Sequence, residues 1–145
     1  MKQLYYSAVG YTALGLVSGL FYRNFTEAHH FNGRTELAVT HTHLLALGTL
    51  FFLIVIGLEK QFALSRSRAF LWFLWVYNAG VLWTVLCMAL IGIRTVLGDD
   101  ESDPLAEMAG AGHIMLTVGF GLFFVCLYGP VKAADRRSPG HDRCP

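Results

Sequence analysis

Four long apolar stretches limit what this chain can fold into. Residues 4–22, 37–58, 69–93 and 108–131 contain no Asp, Glu, Lys or Arg. Each is close to the roughly 20 residues that an α-helix needs to cross about 30 Å of hydrocarbon. Of the 145 residues, 54% are hydrophobic and only 14% are charged, a composition unlike that of a soluble domain. The sequence therefore predicts an all-α integral membrane protein with four transmembrane helices in a bundle.

These stretches and their short connections define one transmembrane domain, residues 1–131, followed by a polar tail at 132–145. Because Lys2 precedes the first apolar stretch, a signal peptide is an alternative there. However, the apolar run is about 19 residues long and no small-residue cleavage site precedes Arg23. We therefore interpret the first stretch as a transmembrane helix.

The distribution of Lys and Arg predicts the orientation of the chain. With a cytoplasmic N-terminus, three of these residues lie outside: Arg23, Arg34 and Arg94. Eight lie inside: Lys2, Lys60, Arg66, Arg68, Lys132, Arg136, Arg137 and Arg143. Cytoplasmic segments carry the excess of positive charge, so both termini are predicted to be cytoplasmic. The net charge of only +1 gives no indication of a nucleic-acid partner.

Three histidines lie inside the apolar stretches: His41 and His43 in the second and His113 in the fourth. Ionisable groups within hydrocarbon cost free energy, so they mark candidate functional sites. Imidazole is a ligand of haem iron and also of copper and zinc. The second and fourth stretches both run inward from the external face, which places all three histidines at similar depth. We therefore expect a cofactor between the second and fourth helices.

The helical periodicity of 100° per residue shows which residues share a face with each histidine. His113 shares a face with Gly110 and Phe120, where a small residue leaves room and an aromatic ring can pack on a porphyrin. His41 shares its face with Leu45, Gly48 and Phe52. His43 lies about 200° from His41 around the helix, so both cannot ligate one iron. Which of the two is the ligand stays open from the sequence.

The residues together predict a membrane b-type cytochrome. Haem b would be held non-covalently, because the chain has no CxxCH motif, by His113 and either His41 or His43. Gly48, Gly110 and Phe120 would adjoin the porphyrin, and Arg34 at the external end would pair with a propionate. The expected use is electron transfer, or binding or sensing of a small gas. The expected partners are the lipid bilayer, further copies of the chain in a homo-oligomer, and a redox partner or larger respiratory complex.

Two other interpretations stay open. The histidine that does not bind haem could hold copper or zinc together with His29 or His30. Alternatively, the histidines and glycines serve helix packing in a non-haem accessory or structural subunit of a larger membrane complex. Gly15-x-x-x-Gly19 predicts such a close helix contact, and Asn78 in the third stretch predicts a hydrogen bond between helices. Whether the protein is an enzyme also stays open.

Two resemblances add to these predictions. The segments YTALGLVSGLFYR, THTHLLALGTLFFLIVIGLEK and GHIMLTVGFGLFF are similar to an uncharacterised family of small four-span bacterial membrane proteins, a domain of unknown function, over residues 1–131. This likeness implies the bacterial cytoplasmic membrane as the location.

The run His41-Thr42-His43-Leu44-Leu45 resembles the HTNLL-type segment in the second span of nitric oxide reductase and related haem-copper oxidase catalytic subunits. In those subunits the first histidine is an axial ligand of a low-spin b haem. The resemblance implies that His41 is an axial ligand, with His43 in place of the asparagine. Those subunits have twelve spans and further histidines for copper, so a complete oxygen- or nitric oxide-reducing centre is not expected here.

Overall fold

The fold is taken from a computed structural model that describes residues 1–99 and 103–136. Within these ranges the chain is all-α, with no strand. Its helices are α1 (Lys2–Ala28), α2 (Leu37–Phe62), α3 (Arg68–Leu97) and α4 (Asp103–Arg136). A single turn of 3-10 helix, Leu64–Arg66, connects α2 to α3. The prediction of four helices long and apolar enough to cross a membrane is confirmed.

The helices extend beyond the apolar stretches that predicted them. Because backbone hydrogen bonds continue outside the apolar core, α1 ends at Ala28 and α3 continues to Leu97. Gly98, with φ of 79°, then ends α3 in the left-handed region that favours glycine. The last helix begins at Asp103 and continues to Arg136, into the predicted tail. The rest of that tail, residues 137–145, lies outside the described residues.

Helices that are consecutive in sequence pack against each other. α1 packs on α2, α2 on α3, and α3 on α4 along most of their lengths. α2 also contacts α4 through its second part, Phe51–Phe62. We call the half of the bundle that contains the beginnings of α2 and α4 the histidine half, and the other the opposite half. In this alternating arrangement α2 and α4 run in the same direction.

Small residues bring α3 and α4 close together. Gly80 of α3 faces Leu116, and a Cβ built on Gly80 would lie 3.0 Å from the Leu116 backbone nitrogen. In the same interface Gly112 faces Thr84. One face of α4 therefore packs against α3. The other sides of α4 contact α2 or are exposed at the surface of the bundle.

A cluster of rings connects α2, α3 and α4 at the centre of the bundle. Phe51 stacks on Tyr77, with 4.4 Å between the ring centroids. It also meets Phe120 and Phe123 edge to face, at 5.2 and 5.4 Å. We call Phe51, Phe73, Tyr77, Phe120 and Phe123 the aromatic cluster. It is the point at which α2 and α4 meet.

The middle of α2, Leu44–Leu50, is a π-helix, in which each backbone hydrogen bond spans one residue more than in an α-helix. Its neighbours make polar contacts with this segment. The Tyr77 hydroxyl donates to the Leu47 carbonyl oxygen at 2.9 Å, and the hydroxyls of Thr12 and Thr49 lie 2.9 Å apart. The π-helical segment begins directly after His43 and ends at the aromatic cluster.

A buried carboxylate fixes the turn between α2 and α3. Glu59 is only 8% exposed, and its carboxylate accepts the Ser65 backbone N–H at 2.8 Å and the Ser65 hydroxyl. Between them Ala63 has φ of 50°, in the left-handed region. The carboxylate thus supplies an acceptor for the Ser65 N–H at the beginning of the 3-10 turn, where a helix has no backbone acceptor for its first N–H groups.

Candidate functional site

His41 faces α1 rather than α4. A Cβ built on Gly19 of α1 would lie 3.7 Å from the His41 side chain, and one on Gly15 would lie 2.8 Å from Leu45. The close helix contact predicted from Gly15-x-x-x-Gly19 is therefore confirmed. Gly48 and Phe52 meet the same helix at Tyr11, so the predicted face of α2 exists and is covered by α1.

The His41 ring lies in the contact between α1 and α2, and one of its nitrogens is left without a partner there among the described residues. Its Nδ1 atom is buried and has no hydrogen-bond partner within residues 1–99 and 103–136. Its Nε2 atom lies 3.4 Å from the hydroxyl of the adjacent Thr42. Because α1 covers this side of α2, the structure does not bring His41 and His113 onto facing surfaces.

His43 is half-buried and faces away from α1, because two residues turn the helix by about 200°. Its Nδ1 atom lies 3.0 Å from the backbone carbonyl oxygen of Val39. A carbonyl only accepts hydrogen bonds, so Nδ1 carries a proton, and in the neutral ring Nε2 then carries the lone pair. Metal-bound histidines commonly use this arrangement, in which a carbonyl fixes the ring and leaves the other nitrogen as the ligand.

His113 has the same arrangement on α4. Its Nδ1 atom lies 3.1 Å from the carbonyl oxygen of Ala109, so Nε2 again carries the lone pair. The side chain is exposed. His113 precedes Phe120 by seven residues, which places both on nearly the same face of α4. Since Phe120 contacts Phe51, His113 lies on the flank of α4 that faces α2.

The contact between Phe51 and Phe120 also sets the relative heights of the histidines. His43 lies eight residues before Phe51, and His113 lies seven residues before Phe120. Because α2 and α4 run in the same direction, both imidazoles lie at comparable distances from the aromatic cluster. The two histidines therefore lie at comparable height in the histidine half, one on α2 and one on α4.

The other predicted site residues have different surroundings. The space beside Gly48 is filled by the Tyr11 ring. Gly110 is exposed and a Cβ there would meet nothing within 4 Å, so the surface one turn from His113 is open. Phe120 belongs to the aromatic cluster. Arg34 is exposed in the connection between α1 and α2, beside a cavity of about 440 Å³.

Sequence reasoning missed three residues that shape this region. Tyr11 fills the space beside Gly48, Tyr77 donates to the π-helical segment, and Phe51 connects α2 to α4. The sequence does indicate that the two tyrosines contact another helix, because a hydroxyl within an apolar stretch needs a hydrogen-bond partner. The predicted cross-helix hydrogen bond of Asn78 is confirmed, since its Oδ1 atom accepts from the Tyr11 hydroxyl at 2.8 Å.

Within the described part of the chain, no group of three or more His, Cys, Asp or Glu residues could hold a metal ion. A haem with two axial imidazoles needs only two protein ligands, so this finding does not test the haem expected from the sequence.

No curated protein and no solved structure matches this chain. The comparisons give no evidence for the resemblance between the His41 segment and the haem-copper oxidases. One family model, described as a protein of unknown function (DUF2871), matches residues 1–129. The match includes all four helices that are candidates for crossing a membrane. The chain therefore belongs to the DUF2871 family of proteins of unknown function.

Proposed function

We propose that this protein is a membrane b-type cytochrome that holds haem between α2 and α4. The axial ligands are the Nε2 atoms of His43 and His113. One observation carries the proposal: both imidazoles have Nδ1 bound to a backbone carbonyl, and the contact of Phe51 with Phe120 sets them at comparable height on helices that run in the same direction. The two helices would thus present matching donor atoms to the gap between them.

The surroundings of the gap fit a porphyrin. Phe51 and Phe120 form its base, where their rings can contact the porphyrin edge. Gly110, one turn from His113, adds no side chain on the open side. Arg34 at the same end of the bundle is a cation for a haem propionate. These residues supply an apolar site with a charged rim.

This assignment differs from the one that the oxidase resemblance implies. That resemblance makes His41 the axial ligand, yet Gly19 of α1 packs against the His41 side chain. His43, which stands in place of the oxidase asparagine, faces away from α1 instead. The packing of the four helices therefore supports His43 as the ligand and His41 as a residue of the contact between α1 and α2.

Ligation by two imidazoles favours electron transfer over gas binding. Bound haem exchanges one electron, and two axial histidines leave no open position on the iron for a gas. The apolar surroundings and the axial ligands would set its reduction potential. We place the protein in the bacterial cytoplasmic membrane with the N-terminus inside, because Lys and Arg are concentrated at the opposite end from the histidines. The haem then lies near the external face.

The experiment that tests the proposal is a reduced-minus-oxidised absorption spectrum of the purified full chain, with a pyridine haemochrome assay on the same sample. We expect the bands of low-spin b-type haem, with about one haem per chain. A protein that binds no haem, even after expression with added haem precursor, would contradict the proposal. Retention of a partner complex by such a colourless protein would instead support an accessory subunit.

A further inference from the structure

A second cavity lies between α1 and α3, in the opposite half from His43 and His113. Its volume is about 490 Å³, within the range of small-molecule sites. Aromatic side chains flank it, since Tyr6 and Trp75 line the cavity and are 68% and 71% exposed. Its polar lining consists of Gln3, Ser7 and Asn78. The cavity opens on the surface of the bundle that faces lipid if the helices cross a membrane.

Hydrogen-bond donors in this cavity are not all used. The Asn78 amide group donates one N–H to the Leu74 carbonyl oxygen at 2.7 Å, while its Oδ1 atom accepts from Tyr11. Within the described ranges, no hydrogen bond uses the second amide N–H of Asn78 or the hydroxyl of Ser7. An unused donor in hydrocarbon costs free energy, so this lining suits a ligand that carries acceptor oxygens.

The depth of Asn78 limits the kind of ligand. Asn78 follows the start of α3 at Arg68 by ten residues, or about 15 Å along the helix. This places it near the middle of a hydrocarbon core of about 30 Å. Phospholipid phosphates and ester groups lie at the membrane surface, far from that depth. A ligand whose acceptor atom reaches Asn78 must therefore be soluble in hydrocarbon over the rest of its structure.

We propose that this cavity binds the head group of an isoprenoid quinone. The flat ring lies between Tyr6 and Trp75, one quinone carbonyl accepts the free N–H of Asn78, and Ser7 offers a second donor. The isoprenoid tail leaves between α1 and α3 into the lipid. This site rests on the cavity alone and does not depend on the cytochrome proposal.

Photolabelling of the full chain tests the site. The protein is placed in phosphatidylcholine nanodiscs, labelled with an azido-benzoquinone that carries a decyl tail, and competed with unlabelled decylubiquinone. We expect competed labelling within residues 3–7 and 71–78. The Leu71→Trp variant, which fills the cavity, should lose this labelling. Leu82→Trp, at another exposed position of α3, is the matched control and should keep it.

Affinity measurements on variants give a second readout. Ser7→Ala should weaken decylubiquinone binding roughly fivefold, as expected for one lost hydrogen bond. Leu82→Trp should bind the quinone normally, because Leu82 does not line the cavity. The proposal is overturned if Leu71→Trp is labelled like the wild type. It is also overturned if added phospholipid displaces the label as well as decylubiquinone does, or if Leu82→Trp loses quinone binding as Leu71→Trp does.

Discussion

The His41 side chain packs against Gly19 of α1, lying 3.7 Å from the position where a Gly19 Cβ would stand. A histidine within an apolar stretch is therefore accommodated by a glycine on the neighbouring helix. Two residues later, His43 faces the opposite side of α2 with its Nδ1 atom bound to the Val39 carbonyl. The two histidines of one short motif thus have separate environments, and these lead to different expectations for their substitution.

Substitution of the two proposed ligands should abolish the low-spin haem spectrum. His43→Ala and His113→Ala each remove one axial nitrogen, so we expect loss of the narrow α band of bis-imidazole haem. His41→Ala should keep that band, because the side chain packs on α1. The measurement is the reduced-minus-oxidised spectrum of each purified variant.

The comparison of His41→Ala with His43→Ala decides between two assignments. Loss of the α band in His41→Ala, with an unchanged spectrum in His43→Ala, would support the ligand implied by the oxidase resemblance. Size-exclusion profiles of the variants establish that each chain remains folded, so that a spectral change reports ligation.

Gly48→Ala should destabilise the bundle. A methyl group at this position would overlap the Tyr11 ring, and such overpacking typically costs about 1–3 kcal/mol. Gly57 lies on the same helix with nothing within 4 Å of a built Cβ, so Gly57→Ala is the matched control. We expect a lower thermal unfolding midpoint for Gly48→Ala and little change or a slight rise for Gly57→Ala, measured by circular dichroism in detergent.

The hydrogen bond between Tyr11 and Asn78 should contribute measurably to the packing of α1 on α3. A double-mutant cycle with Tyr11→Phe and Asn78→Ala isolates it, since the first removes the donor and the second the acceptor. We expect a coupling free energy of about 0.6 kcal/mol, typical of hydrogen bonds between transmembrane helices. Additive effects of the two substitutions on unfolding in mixed micelles would show that the bond contributes nothing.

The Glu59 carboxylate should be needed for the turn between α2 and α3. In Glu59→Gln a neutral amide replaces the carboxylate that accepts from Ser65, so both hydrogen bonds lose the assistance of the negative charge. We expect destabilisation by about 1–2 kcal/mol and faster proteolysis between residues 60 and 67. The exposed Glu27, changed to Gln, is the control. Equal protease resistance of both variants would contradict the role of Glu59.

The number of helices and their approximate positions follow from the amino-acid sequence. Without water in hydrocarbon, every backbone group needs a partner within the segment, so long apolar stretches become helices. The lengths were underestimated, because polar residues such as those before Ala28 and Leu97 continue the helical hydrogen bonds. The π-helical form of Leu44–Leu50 was not predicted, because contacts with α1 and α3 help to satisfy its polar groups.

The sequence also determined which residues share a face, since helical periodicity is local. Periodicity does not determine which helix covers that face. The predicted face of α2 with His41 and Gly48 exists. The packing of α1 shows that Tyr11 occupies the space beside Gly48 and that Gly19 lies against His41. The proposed choice of His43 over His41 rests on the contact of His41 with Gly19 and on that of Phe51 with Phe120, which join residues far apart in sequence. Such contacts follow from side-chain shape in three dimensions, so helical periodicity alone does not supply them.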